Sequence, residues 1–572
     1  MATEKDDSPM PLKDEELLLQ KFYQLVSDHG DEVYLTQPGM PEGVVDYTFQ
    51  EVYDQAVRMA AHIKKSVPKG SNIAVISKNC AHFIACELAI WIADCVTVAL
   101  FPNLSAGATR YILEHCGAKM VFVGKLDEPC WNEMKVAIPS ALDVVLFPLS
   151  PKSCEGTKWE DILKSTDSIC ISVAEAPRRA MNDDAIIIYT SGSTGQPKGV
   201  VHTFQSISAP TKGIVKLHSI TRKDRYLSYL PIAHVMDRWL AEGVSLYSGM
   251  RVYFAESLST FKEDLTRCRP TLFISVPRLW LKFQSGIYSK LSPSTLKTLF
   301  AIPLLNSFIK QKILNLLGLD CVRFAGSGSA PIPAELLTWY RELGLELLEG
   351  YGMSENFCYS HSTPLGKAKF GFIGQPWPGV ECKLSEESEI LVKSPGMMKE
   401  YYKEPAKTKE VITADGFLKT GDKGFIDEEG NLKIIGRVKD IFKTSKGKYV
   451  APAPIENIVN NDEYVELSLV GGSGQVATMI IVQLAEHIRP TANDPEVMSK
   501  ITTAFEDLLR KVNDDVEEYE RAAFIVVAKD TWTIEQEFLT PTMKIKRENI
   551  ENHYSDKVEG WYSSKKKVIW EE

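Results

Sequence analysis

The sequence predicts an α/β protein with a large N-terminal domain of layered α/β subdomains, followed by a smaller α+β C-terminal domain. The chain has 572 residues, more than one hydrophobic core usually serves, which favours two or more domains. Short apolar runs rich in β-formers alternate with helical patterns, and this alternation is typical of layered sheets with largely parallel strands. Glycine and Asp/Asn turns become frequent in the last third of the chain, which marks a change of architecture there.

Predicted strands follow the apolar runs at residues 73–76, 120–123, 143–146, 185–189 and 272–276, and predicted helices include residues 48–65 and 83–95. The turns between residues 371 and 436 predict small antiparallel sheets. We place a domain boundary near residues 437–440. Residues 437–572 contain a predicted helix at 495–513 and a predicted strand at 523–527, and this length is enough for a separate core.

Composition and charge limit the function classes. The net charge is −10 and the pI near 5.7, which argues against a nucleic-acid partner. No apolar run approaches the roughly 18–20 residues that span a bilayer. Residues 1–13 are polar and mixed in charge, unlike a secretory signal. The 11 cysteines are scattered, and even Cys80 and Cys86 lack zinc or redox spacing. These features predict a reduced, cytoplasmic protein.

The loop at residues 190–199 carries the strongest chemical signal. Three glycines let the backbone approach a ligand and point N–H groups inward as an anion nest. Four hydroxyl residues add donors, and the lysine adds positive charge. Pro197 stands where a Walker A loop has glycine. A triphosphate cradle is therefore favoured over an ordinary flexible turn, with the candidate residues Thr190, Ser191, Gly192, Ser193, Thr194, Gly195 and Lys198.

This loop resembles that of the adenylate-forming superfamily, which includes acyl-CoA synthetases, luciferases and peptide-synthetase adenylation domains. Further motifs follow in the family's order over roughly residues 45–550. The resemblance implies that the loop holds the β- and γ-phosphates of ATP. It also implies a small β-barrel-like subdomain within the N-terminal domain, 1–436, and a mobile C-terminal domain, 437–572, with its hinge near Lys439.

Three motifs resemble the nucleotide and acyl pocket of the family. His234, in residues 230–238, matches a position at the carboxylate end of the pocket, although a lone histidine is more often structural. Gly328, in residues 326–331, matches a backbone segment that lies along the adenine and the acyl group, where small residues permit close approach. Residues 349–355 form the third motif.

In this third motif, Tyr351 offers a ring for adenine, and Gly352 follows it. Ser354 offers a hydroxyl for the α-phosphate, where the family more often has threonine. Glu355 is an oxygen ligand suited to the Mg²⁺ that accompanies ATP. In isolation the pattern would also fit a helix start with Ser and Glu near a cap.

Asp422 and Arg437 match the family's two contacts to the ribose of ATP, although the Asp422 motif alone is a common turn. Lys439 matches the hinge, and otherwise reads as a solvated charge. Gly447 matches a glycine past which the pantetheine arm of coenzyme A moves.

Lys544 matches the C-terminal lysine that bridges the substrate carboxylate and the α-phosphate. Met543 replaces the usual glycine before it, which leaves the choice between Lys544 and Lys546 open.

The resemblance implies a two-step acid–thiol ligase of the long-chain-fatty-acid–CoA ligase type. The acid is first joined to AMP with release of pyrophosphate, and the acyl group is then transferred to the thiol of coenzyme A. ATP, Mg²⁺ and coenzyme A are the expected cofactors, and Lys198, His234, Glu355 and Lys544 the expected catalytic residues. The alternative is an adenylation enzyme for a non-fatty acid or for loading an acyl carrier protein.

Residues 265–319 stand apart from these motifs, because they contain no Asp or Glu but eight basic residues: Arg267, Arg269, Arg278, Lys282, Lys290, Lys297, Lys310 and Lys312. Within them, residues 304–317 predict a helix that is not cleanly amphipathic. One interpretation is a core-packed helix in a solvated basic region. The other is a surface for an anionic membrane or for the phosphates of coenzyme A, which would make the protein peripheral on a membrane.

Overall fold

The computed structural model of the chain describes residues 12–190 and 196–571. These residues form two compact units. The first comprises the chain up to Ala330, Ala334–Cys382 and Val392–Leu418. The second comprises Pro331–Pro333, Lys383–Leu391 and the chain from Lys419 onward. The predicted hinge residue Lys439 lies inside this second unit, and the domain boundary drawn beside it stays a prediction.

The strands of the described residues are β1 (Val33–Met40), β2 (Gly43–Thr48), β3 (Asn72–Ile76), β4 (Val96–Leu100), β5 (Met120–Val123), β6 (Asp143–Leu146), β7 (Thr157–Lys158), β8 (Asp184–Thr190), β9 (Lys198–Thr203), β10 (Arg225–Ser228), β11 (Arg251–Phe254), β12 (Leu272–Ser275), β13 (Phe324–Gly328), β14 (Leu347–Tyr351), β15 (His361–Ser362), β16 (Gln375–Pro376), β17 (Glu381–Leu384), β18 (Glu389–Lys393), β19 (Glu400–Tyr401), β20 (Leu418–Ile426), β21 (Leu432–Arg437), β22 (Phe442–Lys443), β23 (Tyr449–Val450), β24 (Val465–Gly471), β25 (Thr478–Leu484), β26 (Ala522–Val527) and β27 (Val568–Trp570).

The helices are α1 (Leu18–His29), α2 (Phe49–Ser66), α3 (Ala81–Ile92), α4 (Ala106–Cys116), α5 (Glu128–Met134), α6 (Trp159–Ser165), α7 (Phe204–Leu217), α8 (Val235–Asp237), α9 (Ser245–Ser248), α10 (Phe261–Cys268), α11 (Pro277–Tyr288), α12 (Pro293–Phe300), α13 (Pro303–Leu316), α14 (Ala334–Leu343), α15 (Pro405–Val411), α16 (Pro452–Val459), α17 (Pro495–Asp515) and α18 (Arg547–Ser564). A π-helical segment, Arg238–Val244, joins α8 to α9.

Two large sheets form the first unit. Their strand orders are β16-β15-β14-β13-β12-β10-β11-β1-β2 and β19-β9-β8-β4-β3-β5-β6-β7. Pairing is parallel through the middle of each sheet and antiparallel at β2, β15 and β16 in one and at β9 and β19 in the other. The central strands β4 and β5 are buried along their whole length, because helices cover both faces of a parallel sheet.

The C-terminal sheet has the order β24-β25-β26-β27. Alternate residues of its strands face opposite sides. In β26, Ile525 and Val527 join the core that contains Phe505 of α17, whereas Phe524 and Val526 join the core that contains Tyr554 of α18. This two-sided sheet is the core of the C-terminal part.

The predicted strands are confirmed, whereas the helix predicted at 83–95 corresponds to α3, which already ends at Ile92. Each strand predicted from an apolar run coincides with an observed strand to within one residue, namely β3, β5, β6, β8 and β12. The turn-rich region after residue 371 contains the four-stranded sheet β17-β18-β20-β21, and β22 and β23 pair as a separate hairpin. Helix α17 and strand β26 lie where they are predicted. The α/β fold class is confirmed with them.

None of the eleven cysteines, all of which lie within the described residues, forms a disulfide. No helix among the described residues has both the length and the apolar character needed to cross a membrane.

Candidate functional site

A hairpin of β8 and β9 carries the predicted phosphate loop. Thr190 pairs with Lys198 across the two strands, so the lysine lies at the base of the loop. Ser191, Gly192, Ser193, Thr194 and Gly195 lie outside the described residues. The hairpin therefore fixes both ends of the loop.

Tyr401 connects Lys198 to Glu355. The Nζ atom of Lys198 lies 5.2 Å from the centre of the Tyr401 ring, within the range of a cation–π contact. The Tyr401 hydroxyl donates a hydrogen bond of 2.7 Å to Oε1 of Glu355. Burial, together with the nearby Glu355 carboxylate, raises the pKa of Tyr401, so the phenol keeps its proton and remains the donor. The structure thus joins the loop lysine and the candidate magnesium ligand.

The turn that holds Ser354 and Glu355 has an unusual backbone. Phe357 and Cys358 both adopt left-handed conformations, with φ of 50° and 58°. Such residues cost about 1–3 kcal/mol each and persist only where their surroundings fix them. The backbone of Cys358 lies 2.5 Å from where a Cβ atom of Gly352 would be, so position 352 requires glycine.

His202 fixes the same turn from β9. Its Nε2 donates a hydrogen bond of 2.7 Å to the carbonyl oxygen of Ser354, and its Nδ1 lies 3.0 Å from the Ser206 hydroxyl oxygen. Burial lowers the pKa of His202 to about 4, so the ring is neutral and carries one N–H. Since the carbonyl oxygen of Ser354 can only accept, the proton is assigned to Nε2. Nδ1 then accepts a hydrogen bond from the Ser206 hydroxyl.

The ends of β13 and β14 bring the other pocket residues together. These strands are parallel neighbours, and Gly328 is paired with Gly350, next to Tyr351. A Cβ atom at Gly328 would lie 3.3 Å from the carbonyl oxygen of Gly350 and 3.8 Å from Cε of Met236. The strand end and the segment around His234 therefore approach closely, as expected where a ligand binds at the carboxyl ends of parallel strands.

His234 caps α8, where its Nδ1 accepts a 3.2 Å hydrogen bond from the backbone N–H of Met236. The same segment is anchored by Asp237, which accepts hydrogen bonds of 2.6–2.7 Å from Ser228, Tyr226 and Asn79. Burial raises the pKa of Asp237 to about 7, and the three donors limit the rise.

Asn79 also accepts a hydrogen bond from the backbone N–H of Ile232 and donates to the carbonyl oxygen of Leu230. It therefore ties the loop after β3 to the segment that carries His234.

In the second unit, the two predicted ribose ligands lie side by side. Asp422 on β20 pairs in register with Arg437 on β21. Oδ1 of Asp422 and Nε of Arg437 are 2.8 Å apart. Asp422 is buried, whereas Arg437 is about half exposed. The sequence predicts both residues as ribose contacts, but it does not predict their ion pair. This ion pair orients the carboxylate of Asp422.

Lys544 lies in an exposed turn just before α18. The backbone N–H of Lys544 donates to the Thr540 hydroxyl, and its carbonyl accepts from the Thr540 N–H. Met543 has a φ of 62° and is half exposed. The residue that replaces the family's glycine therefore adopts a backbone conformation that glycine favours.

Arg547 and Glu456 anchor the end of this turn. Oε1 of Glu456 accepts from the backbone N–H of Val470 and from Arg547, and Arg547 also donates to the carbonyl oxygen of Val470. Burial raises the pKa of Glu456, which Arg547 partly offsets. Both side chains are largely buried, and breaking a buried pair typically costs about 3–5 kcal/mol.

The hairpin of β22 and β23 carries Gly447, which has a φ of 78° and donates its N–H to the carbonyl oxygen of Thr444. This local geometry by itself favours glycine. Lys439 lies in an exposed turn before the hairpin.

The candidate metal ligand Glu355 does not belong to a group of metal-binding side chains among the described residues. No group of three or more His, Cys, Asp or Glu that could hold a metal occurs in the part of the chain that the structure describes. Mg²⁺ commonly binds one or two protein carboxylates together with substrate phosphates and water. A single carboxylate such as Glu355, joined through Tyr401 to Lys198, would be enough to hold a magnesium ion that arrives with ATP.

Comparison with protein families gives two matches. Residues 22–402 match the family model described as AMP-binding enzyme. Residues 439–566 match the one described as AMP-binding enzyme C-terminal domain.

Similar sequences extend over almost the whole chain. Peroxisomal long chain acyl-CoA synthetase 7 of Arabidopsis thaliana is 27% identical, with 96% of this chain and 86% of that protein covered. Long-chain-fatty-acid–CoA ligase 6 of Homo sapiens is 28% identical, with 94% and 85% covered.

Solved structures share the fold. The adenylation domain of a carboxylate reductase from Mycobacterium chelonae has a TM-score of 0.79 at 22% identity, with 97% of this chain and 92% of that chain covered. An anthranilate CoA ligase in complex with anthranoyl-AMP has a TM-score of 0.76 at 19% identity, with 96% and 100% covered.

Proposed function

Because the chain belongs to the AMP-binding enzyme family, we propose that it is an ATP-dependent acyl-CoA synthetase whose substrates are long-chain fatty acids. The single observation that carries the proposal is the connection from Lys198 through Tyr401 to Glu355. It links the base of a phosphate-binding loop to a carboxylate suited to Mg²⁺. The acyl-CoA synthetases among its relatives support the choice of a fatty acid and of coenzyme A.

In the first step, a carboxylate oxygen of the acid attacks the α-phosphorus of ATP, and the bond to the β-phosphate oxygen breaks with release of pyrophosphate. Negative charge gathers on the phosphates, so catalysis requires positive groups and hydrogen-bond donors that are already in place. Lys198 and the loop residues serve the β- and γ-phosphates, while Ser354 and Lys544 serve the α-phosphate. Glu355 would hold Mg²⁺, which neutralises phosphate charge when it is bound.

Binding and orientation fall to the remaining site residues. Tyr351, Gly352 and Gly328 face the adenine, and Asp422 with Arg437 holds the ribose hydroxyls. His234 lies at the carboxylate end of the acyl pocket. The ion pair of Asp422 and Arg437 supports this role, because it fixes the carboxylate that would accept the ribose hydroxyls.

In the second step, the thiol of coenzyme A loses its proton to solvent and its sulfur attacks the acyl carbonyl. A thioester forms, the bond between the acyl carbon and the phosphate oxygen breaks, and AMP leaves with that electron pair. No side-chain nucleophile is needed. We propose that residues from 437 onward rotate about Lys439 between the steps, so that Lys544 serves the first and the segment around Gly447 serves the second.

The proposal places the enzyme in the cytoplasm, with peripheral contact to a membrane through residues 265–319. Eleven cysteines, none of which forms a disulfide, support a reducing compartment. A membrane is where long-chain acids partition, which supports contact between the enzyme and a lipid surface.

Acid-dependent exchange of pyrophosphate into ATP, measured across a series of acid chain lengths, tests the proposal. We expect exchange to require Mg²⁺ and to be fastest with long-chain fatty acids. Thioester formation is then measured with coenzyme A and with an acyl carrier protein side by side. Exchange driven by amino acids or aromatic acids alone, or transfer to the carrier protein alone, would refute it.

A further inference from the structure

The outward face of α13 is apolar. Leu305, Phe308 and Leu316 are 44%, 65% and 50% exposed, and Lys312 lies between them in the sequence. Because successive helical residues are about 100° apart, positions 305, 308, 312 and 316 form one stripe along the helix. Ile302, just before the helix, is also exposed. Contiguous apolar side chains on a surface helix often mark an interaction site, whereas single exposed apolar residues are common and need no such explanation.

The opposite face of α13 packs into the first unit, where Ile313 and Leu314 are buried. The helix therefore has two apolar faces, of which the described residues cover only one. This explains why the sequence pattern is not cleanly amphipathic. A core-packed helix accounts for Ile313 and Leu314 but leaves Phe308 and its neighbours on the stripe unexplained.

The sequence segment that carries the stripe is basic. Of the eight basic residues at 265–319, Arg267 and Arg269 form ion pairs with Asp264 and Asp320, which lie just outside this range. Five lysines have no ion pair with any described residue: Lys282, Lys290, Lys297, Lys310 and Lys312. Lys310 of α13 lies over the ring of Phe300 at the end of α12, and this contact connects the two helices.

We propose that the outward face of α12 and α13 docks on the surface of an anionic lipid bilayer. Phe308, Leu305 and Leu316 enter the boundary between headgroups and acyl chains. Lys312 keeps its methylene stem among them and extends its ammonium group to the phosphates. The absence of Asp and Glu from residues 265–319 matches a negative surface.

This inference rests on the proposed function only for its purpose, since a bilayer is where the proposed substrate partitions. Binding is therefore measured apart from catalysis. The full-length protein is sedimented with sucrose-loaded vesicles of phosphatidylcholine, with and without phosphatidylserine, at low and high salt. We expect sedimentation with the anionic vesicles at low salt, and its loss at high salt or with phosphatidylcholine alone.

Two variants test the face, each with a matched control. Phe308→Ser should lower the partition coefficient about fivefold to tenfold, whereas Leu258→Ser, at a site 93% exposed elsewhere, should leave it unchanged. Replacing Lys290, Lys297 and Lys312 by Glu should lower it more than about 100-fold. Replacing the exposed Lys119, Lys409 and Lys511 by Glu changes the net charge equally and should lower it far less.

Circular dichroism and melting temperature establish that each variant is folded. Equal losses in the test and control variants would overturn the proposal, as would binding that ignores phosphatidylserine and salt. A raised KM for coenzyme A in the lysine variant, with vesicle binding intact, would assign the lysines to coenzyme A instead. Wild-type pyrophosphate exchange without vesicles shows separately whether the catalytic proposal holds.

Discussion

Tyr401 connects Lys198, at the base of the candidate phosphate loop, to the candidate magnesium ligand Glu355. In a Tyr401→Phe variant, the ring under Lys198 remains but the hydrogen bond to Glu355 is lost. Loss of a group that orients a metal ligand typically costs about 10–100-fold in metal affinity or activity. We expect adenylation to fall about tenfold or more and to require more Mg²⁺ for half-maximal rate, measured by pyrophosphate exchange over a magnesium series.

The neighbouring Tyr402→Phe is the matched control, because its hydroxyl bonds to Asn72, away from Glu355. We expect its magnesium requirement to equal that of the wild type. The assignment of Tyr401 is wrong if both variants, or neither, change this requirement.

Asp237 makes stability depend on pH in a defined direction. Its pKa is about 7 in the folded protein, against 3.8 when exposed. The folded state holds the proton more tightly, so the contribution to stability is full below about pH 4 and is lost as the pH rises through about 7. Asp237→Asn removes this dependence. The stability of the variant relative to the wild type should therefore rise with pH by about 1.4 kcal/mol per unit, up to pH 7.

Melting temperatures of both proteins at pH 5, 6, 7 and 8 test this expectation. Asp28→Asn, at an exposed position, is the control and should show no such trend. Parallel melting profiles for wild type and Asp237→Asn would show that the buried carboxylate is ionised throughout.

Which site residues the sequence could predict follows from the range of their interactions. Lys198 and Glu355 could be proposed from the sequence because each lies in a local motif. Tyr401 was not, since its partner Glu355 is 46 residues away. Asn79 and Asp237 are 158 residues apart and meet only in the folded chain. Their sequence signal, single polar residues near apolar runs, is too common to single them out.

At the scale of elements, β14 and the turn after it require glycine at one position and tolerate a side chain at another. A Cβ atom at Gly352 would lie 2.5 Å from the backbone of Cys358, whereas one at Gly350 would meet nothing closer than 4.0 Å. Gly352→Ala must therefore displace the turn that carries Ser354 and Glu355. We expect adenylation to fall more than about tenfold and stability to fall by about 1–3 kcal/mol.

Gly350→Ala, two residues earlier in the same motif, should keep the stability of the wild type. Pyrophosphate exchange and melting temperature measured on the pair decide the matter. Equal effects at the two positions would mean that the close approach of Cys358 is not what requires glycine.

The hairpin of β22 and β23 raises a question that one substitution cannot answer. Gly447 has a φ of 78°, so a bulky residue strains the backbone whether or not pantetheine passes there. Asparagine tolerates this conformation better than leucine. If the glycine gives passage to coenzyme A, Gly447→Asn and Gly447→Leu should both lower thioester formation about tenfold or more, with pyrophosphate exchange within about twofold of wild type.

A loss in Gly447→Leu but not in Gly447→Asn would assign the glycine to the turn alone. Both half-reactions are measured on the same preparations. Thioester formation is started from preformed acyl-adenylate, so that it does not depend on the adenylation step.

At the scale of the whole molecule, the architecture was more predictable than the surfaces. Apolar runs with turns between them specify buried strands such as β5, since burial on both faces requires continuous apolar sequence. The outward stripe of α13 was not predictable, because Phe308 and Ile313 are both large apolar residues of the same helix. Only the fold determines that one of them is covered.

The division of labour along the chain gives the last prediction. If the two half-reactions use different groups, then Lys544→Ala should lower acyl-adenylate formation about 100-fold or more, because a positive charge at the α-phosphate is lost. Thioester formation from preformed acyl-adenylate should stay within about threefold, since that step does not need the lysine. Lys546→Ala is the control: Lys546 precedes α18, and its backbone N–H donates to the carbonyl oxygen of Phe538.

Rapid quench of acyl-adenylate formation and a separate assay of thioester formation resolve the two steps. If Lys546→Ala gives the split and Lys544→Ala does not, the catalytic lysine is Lys546. Equal losses in both steps for Lys544→Ala would contradict the alternating use of the C-terminal domain, because a group needed in both steps cannot withdraw between them.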